Sequence, residues 1–243
     1  MVSPVRAGLS KGGNGYNRLM LSRLELLIDL LHSASDAALA THSTTLDGFP
    51  FSSAVPLVVD EQHRPIFLIS GLAEHTRNLI ANPKASLMVA KQLGEGEMAR
   101  VSLIGEIHPV EVDPLFVKRY LRYQPHAERF LQLGDFRFHR LDPIRILTVG
   151  GFAKASWLDG ERLRDAHQVS LAKESKLIEQ VTPTLVAGFN VLGIDSYGAD
   201  VQVSDVRHRI RFATGPVADD AMLPTLIRET RALTTRPVSP NES

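Results

Sequence analysis

The chain has 243 residues, 44% of them apolar, which is enough to bury a sizeable core and long enough for two ordinary domains. Lysine plus arginine and aspartate plus glutamate each number 27, and this balance argues against a nucleic-acid binder, which carries a clustered basic surplus. No cysteine is present, so disulfides, thiolate metal sites, iron–sulfur clusters and a cysteine nucleophile are all excluded.

Residues 1–17 are rich in Gly and Ser and read as a disordered leader, without the apolar run of a signal sequence. The cluster Gly12-Gly13-Asn14-Gly15 follows no strand and lacks a Gly-Lys-Ser/Thr ending, so it is read as flexible tail and not as a phosphate loop. No stretch approaches the ~20 apolar residues needed to span a bilayer. A cytoplasmic protein is the expectation.

From Arg18 to Ser33, Leu19, Leu24, Leu27, Ile28 and Leu31 come close to an amphipathic helical stripe, with one irregular step. Short β-like runs follow: Ala37 to Thr41, a turn at Asp47-Gly48, then Pro50 to Val59, a turn at Asp60 to Arg64, and Pro65 to Ser70. The last of these holds the continuous apolar run Ile66 to Ile69, the signature of a strand buried on both faces. A short helix from Ala73 to Ala81 ends at Asn82-Pro83, where proline discourages helix at the preceding residue. Strands resume at Ala85 to Lys91 and Arg100 to Val110, and a helical segment from Pro114 to Leu131 breaks at Pro125. Phe136 to Leu141 and Ile144 to Phe152 complete this part, assigned to residues 18–158. Six or seven strands with few helices fit a small barrel and not a doubly wound sheet. Residues 159–243 read as a small α+β domain: a helix at Val169 to Gln180, strands at Val191 to Asp195, Ala199 to Val203 and His208 to Phe212, and a helix from Ala218 to Leu233. The fold class expected is thus mainly β with an α+β part behind it.

The passage with chemical content is Ser70-Gly71-Leu72-Ala73-Glu74-His75-Thr76-Arg77-Asn78. A buried strand ends at Ser70, Gly71 permits a tight turn, and a helix begins at once. A helix N-terminus presents unpaired N–H groups and the positive end of its dipole, which together favour an anion. Hydroxyl, imidazole, guanidinium and amide groups crowd the same turn, all able to donate to phosphate oxygens. The same residues also suit plain helix capping and a solvated face. No His-Glu-x-x-His, metal-ligand spacing or Gly-x-Ser-x-Gly elbow occurs, so no metal site and no catalytic residue is assigned.

Three pieces between Ala37 and Leu87 resemble the pyridoxamine 5′-phosphate oxidase-like split barrels that bind flavin mononucleotide (FMN). They are Ala38-Leu39-Ala40-Thr41, Pro50-Phe51-Ser52-Ser53-Ala54-Val55-Pro56, and the segment above running on into Asn82-Pro83-Lys84-Ala85-Ser86-Leu87. Leu141-Asp142-Pro143 with Val149-Gly150-Gly151-Phe152-Ala153 looks like the barrel ending of the branch related to haem-iron utilisation, in which a small α+β domain follows the barrel. The resemblance implies a split β-barrel of the FMN-binding type and a homodimer with its cofactor groove between the subunits. It implies a flavoprotein oxidoreductase acting on a small molecule, with neither nucleic acid nor membrane as partner. By position it makes Ser70, His75, Thr76 and Asn78 the phosphate or ribityl contacts and Ser53 and Val55 the contacts on the facing strand. Arg100 is placed by it at the pyrimidine end of the flavin, from the neighbouring subunit, and Trp157 is a candidate cover for the ring. Glu74 and His75 stand where the vitamin-processing oxidases carry an Arg-Lys pair, so oxidation of pyridoxamine phosphate itself is not expected. Haem is the alternative ligand, with nine histidines available as ligands and none in a distinctive motif. A dimer that has kept the barrel and lost its cofactor is the third reading.

Overall fold

The computed structural model describes residues 22–94, 97–150, 154–185, 188–203, 206–213 and 215–234. The leader read over 1–17 and the first residues of the Arg18 helix lie outside them. The first helix, α1 (Arg23–Ser33), opens on a capping box in which the Ser22 hydroxyl accepts from the Glu25 N–H and the Glu25 carboxylate from that of Ser22. Strands β1 (Asp36–His42) and β2 (Pro50–Pro56) pair antiparallel, and β3 (Val58–Val59) is separated from β2 at Leu57, dividing the run read as one strand. Then come β4 (Pro65–Ser70), α2 (Glu74–Ala81), β5 (Lys84–Gly94) and β6 (Glu97–Pro109). The helical segment is α3 (Pro114–Tyr123) and α4 (Glu128–Leu131), with a 3-10 turn at Pro125–Ala127 making the expected break. After it run β7 (Phe136–Gly150), β8 (Lys154–Asp159), α5 (Glu161–Arg164), α6 (Leu171–Val181), β9 (Phe189–Asp195), β10 (Gly198–Val203), β11 (Val206–Arg211) and α7 (Met222–Thr234).

The first sheet is antiparallel in the order β2-β1-β5-β6-β7-β4-β3, with β8 on the free half of β7, and β2 comes round against β4. This is a split β-barrel. Ala37, Leu39 and Thr41 alternate inward along β1, as period 2 requires, and meet Leu27, Ile28 and Leu31 of α1 in the barrel core. One difference from the sequence reading is β7, which runs unbroken through Asp142-Pro143 where two strands are expected. Proline is tolerated because its neighbours are glycines. A Cβ on Gly105 would lie 2.2 Å from the Asp142 carbonyl, and one on Gly160 would lie 1.8 Å from that of Pro143. The β6–β7 register shifts at the same place, between Ile104 and Gly105.

The second sheet, in the order β11-β10-β9, packs against α6 and α7 over Val181, Val191, Val201, Met222 and Leu226. Behind the barrel follows, therefore, a small α+β unit. Its other side meets α1 and α3, so His32 of α1 is buried there, while Leu30 lies with Leu27, Ile28 and Leu31 in the barrel core. None of the described helices is long and apolar enough to cross a membrane.

Candidate functional site

The β4-to-α2 passage is built as a strand, a tight turn and a helix without a side-chain cap, since Ala73 holds the N-cap position. Ser70, Glu74, Arg77 and Asn78 all have partners within the fold. The Ser70 hydroxyl donates to the Asp135 carboxylate and accepts from the Leu72 N–H at 3.0 Å. Asn78 is wholly buried: its amide donates to Thr41 Oγ1 at 3.0 Å and its carbonyl accepts from both the N–H and the hydroxyl of Thr44 at 2.9 Å. Both side chains fasten α2 to its surroundings. The Arg77 guanidinium is held by the Leu72 carbonyl and by Glu74, and Glu74 also accepts from Thr45 Oγ1 at 2.8 Å. The Arg77 hydrogen bond, with that of Thr45, holds the Glu74 carboxyl below the usual range. Its charge is thus neutralised by its own neighbours and does not oppose an anion at the helix end.

His75 and Thr76 behave differently. His75 Nδ1 lies 3.2 Å from Ser53 Oγ on β2, while His75 Nε2 and Thr76 Oγ1 are buried with no hydrogen-bond partner among the described residues. A buried polar atom left unmade costs about 1–3 kcal/mol, so both atoms have acceptor or donor capacity that a ligand oxygen would satisfy. Burial, reinforced by His139, lowers the basicity of His75, so a neutral ring is favoured. Its tautomer then sets what it binds. With Ser53 donating to Nδ1, Nε2 carries a proton and suits phosphate oxygens; with Nδ1 donating to Ser53, bare Nε2 suits a metal. The uncapped helix and these two atoms fit the phosphate of a flavin nucleotide.

Val55 shares the inward phase of Ser53, two residues on, and its side chain is buried in the barrel core. Its side chain is thus turned away from the outer face, and its backbone is the part that could meet a ligand. Arg100 is exposed on β6, three strands from β2 in the sheet order, on the outer face of the sheet. Within one chain the structure therefore brings Ser53 and His75 together, with Thr76 next along α2, and keeps Arg100 apart.

The outer face holds what the sequence reading missed. Ala54, Ala38, Met88, Ser102, Leu147 and Trp157 are register partners in one transverse row across six strands. Met88 is 39% and Trp157 49% exposed, and Ile104, one row away, is 44% exposed. Arg100 and Arg145 flank the row on opposite sides, each two residues along its strand. The Arg145 guanidinium sits 5.5 Å from the Trp157 ring centroid and its Nε 3.5 Å from Asp159. A shallow open depression of about 460 Å³ lies at the β2 end, lined by Ala38, Ser52, Ser53, Ala54, Met88 and Ala90. The signal was available: Met88 occupies the outward phase of an alternating strand, where a polar residue is the rule.

The chain is similar to the non-canonical haem oxygenase HOZ, chloroplastic, of Arabidopsis thaliana, at 29% identity over 206 residues, 76% of this chain and 64% of that protein. It thus spans less than two thirds of that relative's length. To haem oxygenase HutZ of Vibrio cholerae it is 31% identical over 127 residues, 49% of this chain and 72% of that protein. Two solved structures share the fold. A haem-binding protein of Mycobacterium smegmatis matches with TM-score 0.57 and 23% identity, over 90% of this chain and 100% of that one. An Agrobacterium tumefaciens protein of unknown function matches with TM-score 0.65 and 22% identity, over 86% and 98%. Residues 28–164, more than half of the chain, match the CREG β-barrel family model, and the protein belongs to that family of split barrels, on its haem-utilisation branch.

Proposed function

We propose that the protein binds haem as the substrate of a haem-degrading reaction and does so as a homodimer, with the haem lying against the outer sheet faces of the two copies. The observation that carries this reading is the apolar row from Ala54 to Trp157 with an arginine on either side. A flat apolar ring bearing two carboxylates is the ligand class such a surface suits: Met88, Ile104 and Trp157 offer apolar contact, and Arg100 and Arg145 offer charge-assisted bonds. The two haem oxygenases similar to this chain support haem over other flat anions. Exposed apolar groups in one continuous strip also suit a second copy, since both faces are then removed from water.

A second reading is favoured by the α2 turn, whose uncapped end and unpaired His75 and Thr76 atoms suit FMN. FMN would supply redox chemistry at its ring, while Ser53, His75 and Thr76 would hold the phosphate and Arg100 of a second copy would face the pyrimidine edge.

Titration of the purified protein with haem and, in parallel, with FMN separates the two. A Soret band that saturates at a fixed ratio of haem to dimer, with Arg100→Ala and Arg145→Ala each weakening haem binding about tenfold or more, supports haem. Flavin uptake with no specific haem band overturns it in favour of FMN. A protein that takes up neither is the cofactor-free dimer.

A further inference from the structure

A cluster of buried charged groups lies where α1 meets the second sheet, away from the candidate site. Arg209 binds Asp195 at 2.6 and 3.0 Å, Asp200 at 3.2 Å and Asp29 at 3.3 Å, and Arg211 binds Asp29 at 3.2 Å. His32 Nδ1 faces Asp200 at 3.1 Å and Asp195 at 3.3 Å, and Tyr123 donates to Asp200 at 2.6 Å. One atom each of His32, Asp195 and Asp200 lie within 4.8 Å of one another, but a cation among them would meet the guanidinium that already occupies both carboxylates. The cluster is an ion-pair network and not a metal site. Burial pushes the Asp195 and Asp200 carboxyls up, and Arg209 and His32 more than offset this, holding both below the usual range.

Donors and acceptors leave three protons for the four ring nitrogens of His32 and His63, and the two carboxylates beside His32 favour the shared one there. His63 Nε2 faces the His167 carbonyl at 3.1 Å and must donate to it. His63 Nδ1, in the neutral ring, is then an acceptor, and His32 Nε2 donates to it at 2.9 Å. His32 Nδ1 faces carboxylates and also donates, so His32 carries both protons. Its positive charge balances three aspartates against two arginines. His63 is delivered to this position at a backbone φ of 60°, a left-handed conformation costing about 1–2 kcal/mol for a non-glycine residue. The turn enforces it: Asp60 accepts from the N–H groups of Gln62 and Arg64 and from the Arg64 side chain, and its carbonyl accepts from the His63 N–H. Strain maintained this way marks a position with a purpose beyond packing.

We propose that the His32–His63 pair is an acid-sensitive latch at the seam between the barrel and the three-stranded sheet, opened when His63 takes up a proton. A proton on His63 Nδ1 would set two N–H groups and two positive charges against each other with no acceptor between them. The groups facing His63 are His32 from α1, Asp195, Tyr197 and Arg209 from the second sheet, and the His167 carbonyl from the segment before α6. Burial and the His32 charge lower its pKa to about 4, against Asp195 and the His167 bond, which act in the opposite direction. A seam state that frees both rings binds two protons well below their ordinary value of about 6.5, against the one held by the closed pair, so acid favours that state by up to about tenfold per pH unit below pH 6.5 and disfavours it above.

Hydrogen exchange on the full chain, corrected for the intrinsic pH dependence of exchange, tests this. From pH 6.5 to 4.5 the opening of β9–β11 is expected to rise about tenfold or more while β5 and β6 keep their protection. His63→Asn keeps an acceptor for His32 and tolerates left-handed backbone, and is expected to reduce the rise to less than about twofold. An equal rise in the variant, or one shared by the barrel strands, overturns the latch. Nuclear magnetic resonance titration of the wild-type His63 ring decides independently of any variant: a midpoint below pH 5 supports it, and one near 6.5 overturns it.

Discussion

Asn78→Ala separates a structural role from a ligand-binding one at the residue where the two readings differ most. The amide is fully buried and makes three hydrogen bonds, to Thr41 Oγ1 and to the N–H and hydroxyl of Thr44. Thr41 is 3% exposed and cannot recover its partner from water, which costs about 1–3 kcal/mol. Thr44 is exposed and rehydrates, at a cost of about 1 kcal/mol. The space left by the amide adds about 1 kcal/mol through lost contacts. A loss of about 3–5 kcal/mol follows, a fall in melting temperature of roughly 6–20 °C for a chain of this size. Thermal and urea unfolding measure it, with haem and FMN titrations on the same samples. Unchanged melting together with abolished ligand binding refutes the argument, because Asn78 would then be touching the ligand and not bracing the helix.

Glu174 accepts from Arg119, from Arg122 at 2.9 Å and from the Ile194 N–H at 3.0 Å, so Glu174→Ala leaves Arg119 buried and unpaired. A loss of about 3–5 kcal/mol in urea unfolding is expected. The folded pKa of His75 is lowered by burial, so its contribution to stability is complete above its unfolded value of about 6.5 and is lost as pH falls toward the folded value. His75→Asn therefore flattens the stability-against-pH curve below pH 6.5, as followed by unfolding at a series of pH values. Met88→Lys places a charge in the centre of the outer row and is expected to convert the proposed dimer to monomer in analytical ultracentrifugation with an unchanged circular dichroism spectrum. A persisting dimer removes this face from the interface.

Strand β4 is legible to the residue, because a run of four apolar residues between a proline and a serine leaves it no other place than a buried strand. The α2 turn is equally legible, since strand, glycine and helix follow each other locally. β7 is not, because proline normally ends a strand, and the glycines that accommodate Pro143 come from β6 and from the end of β8. The Ser53–His75 contact agrees with the family pattern, but the use to which Ser70 and Asn78 are put depends on Asp135, Thr41 and Thr44, which no local motif connects to them. Val55 is a matter of phase: alternation puts Ser53 and Val55 on one face, and that face is the core. The His32–His63–Asp200 chain joins residues up to 168 positions apart, and nine scattered histidines give no hint which two will meet.

The two-sided burial of α1 bears on how the chain is made. This helix leaves the ribosome early, yet Asp200 and Arg209, which close its outer side, are synthesised after nearly all the rest. At ordinary elongation rates that interval is roughly ten to thirty seconds. Throughout it, the nascent barrel carries a helix whose His32 and Asp29 lack the partners that β10 and β11 supply, an open flank that only those strands can cover. Substitutions that slow closure of the three-stranded sheet are therefore expected to show themselves first as aggregation during synthesis, and only later as reduced stability of the finished molecule.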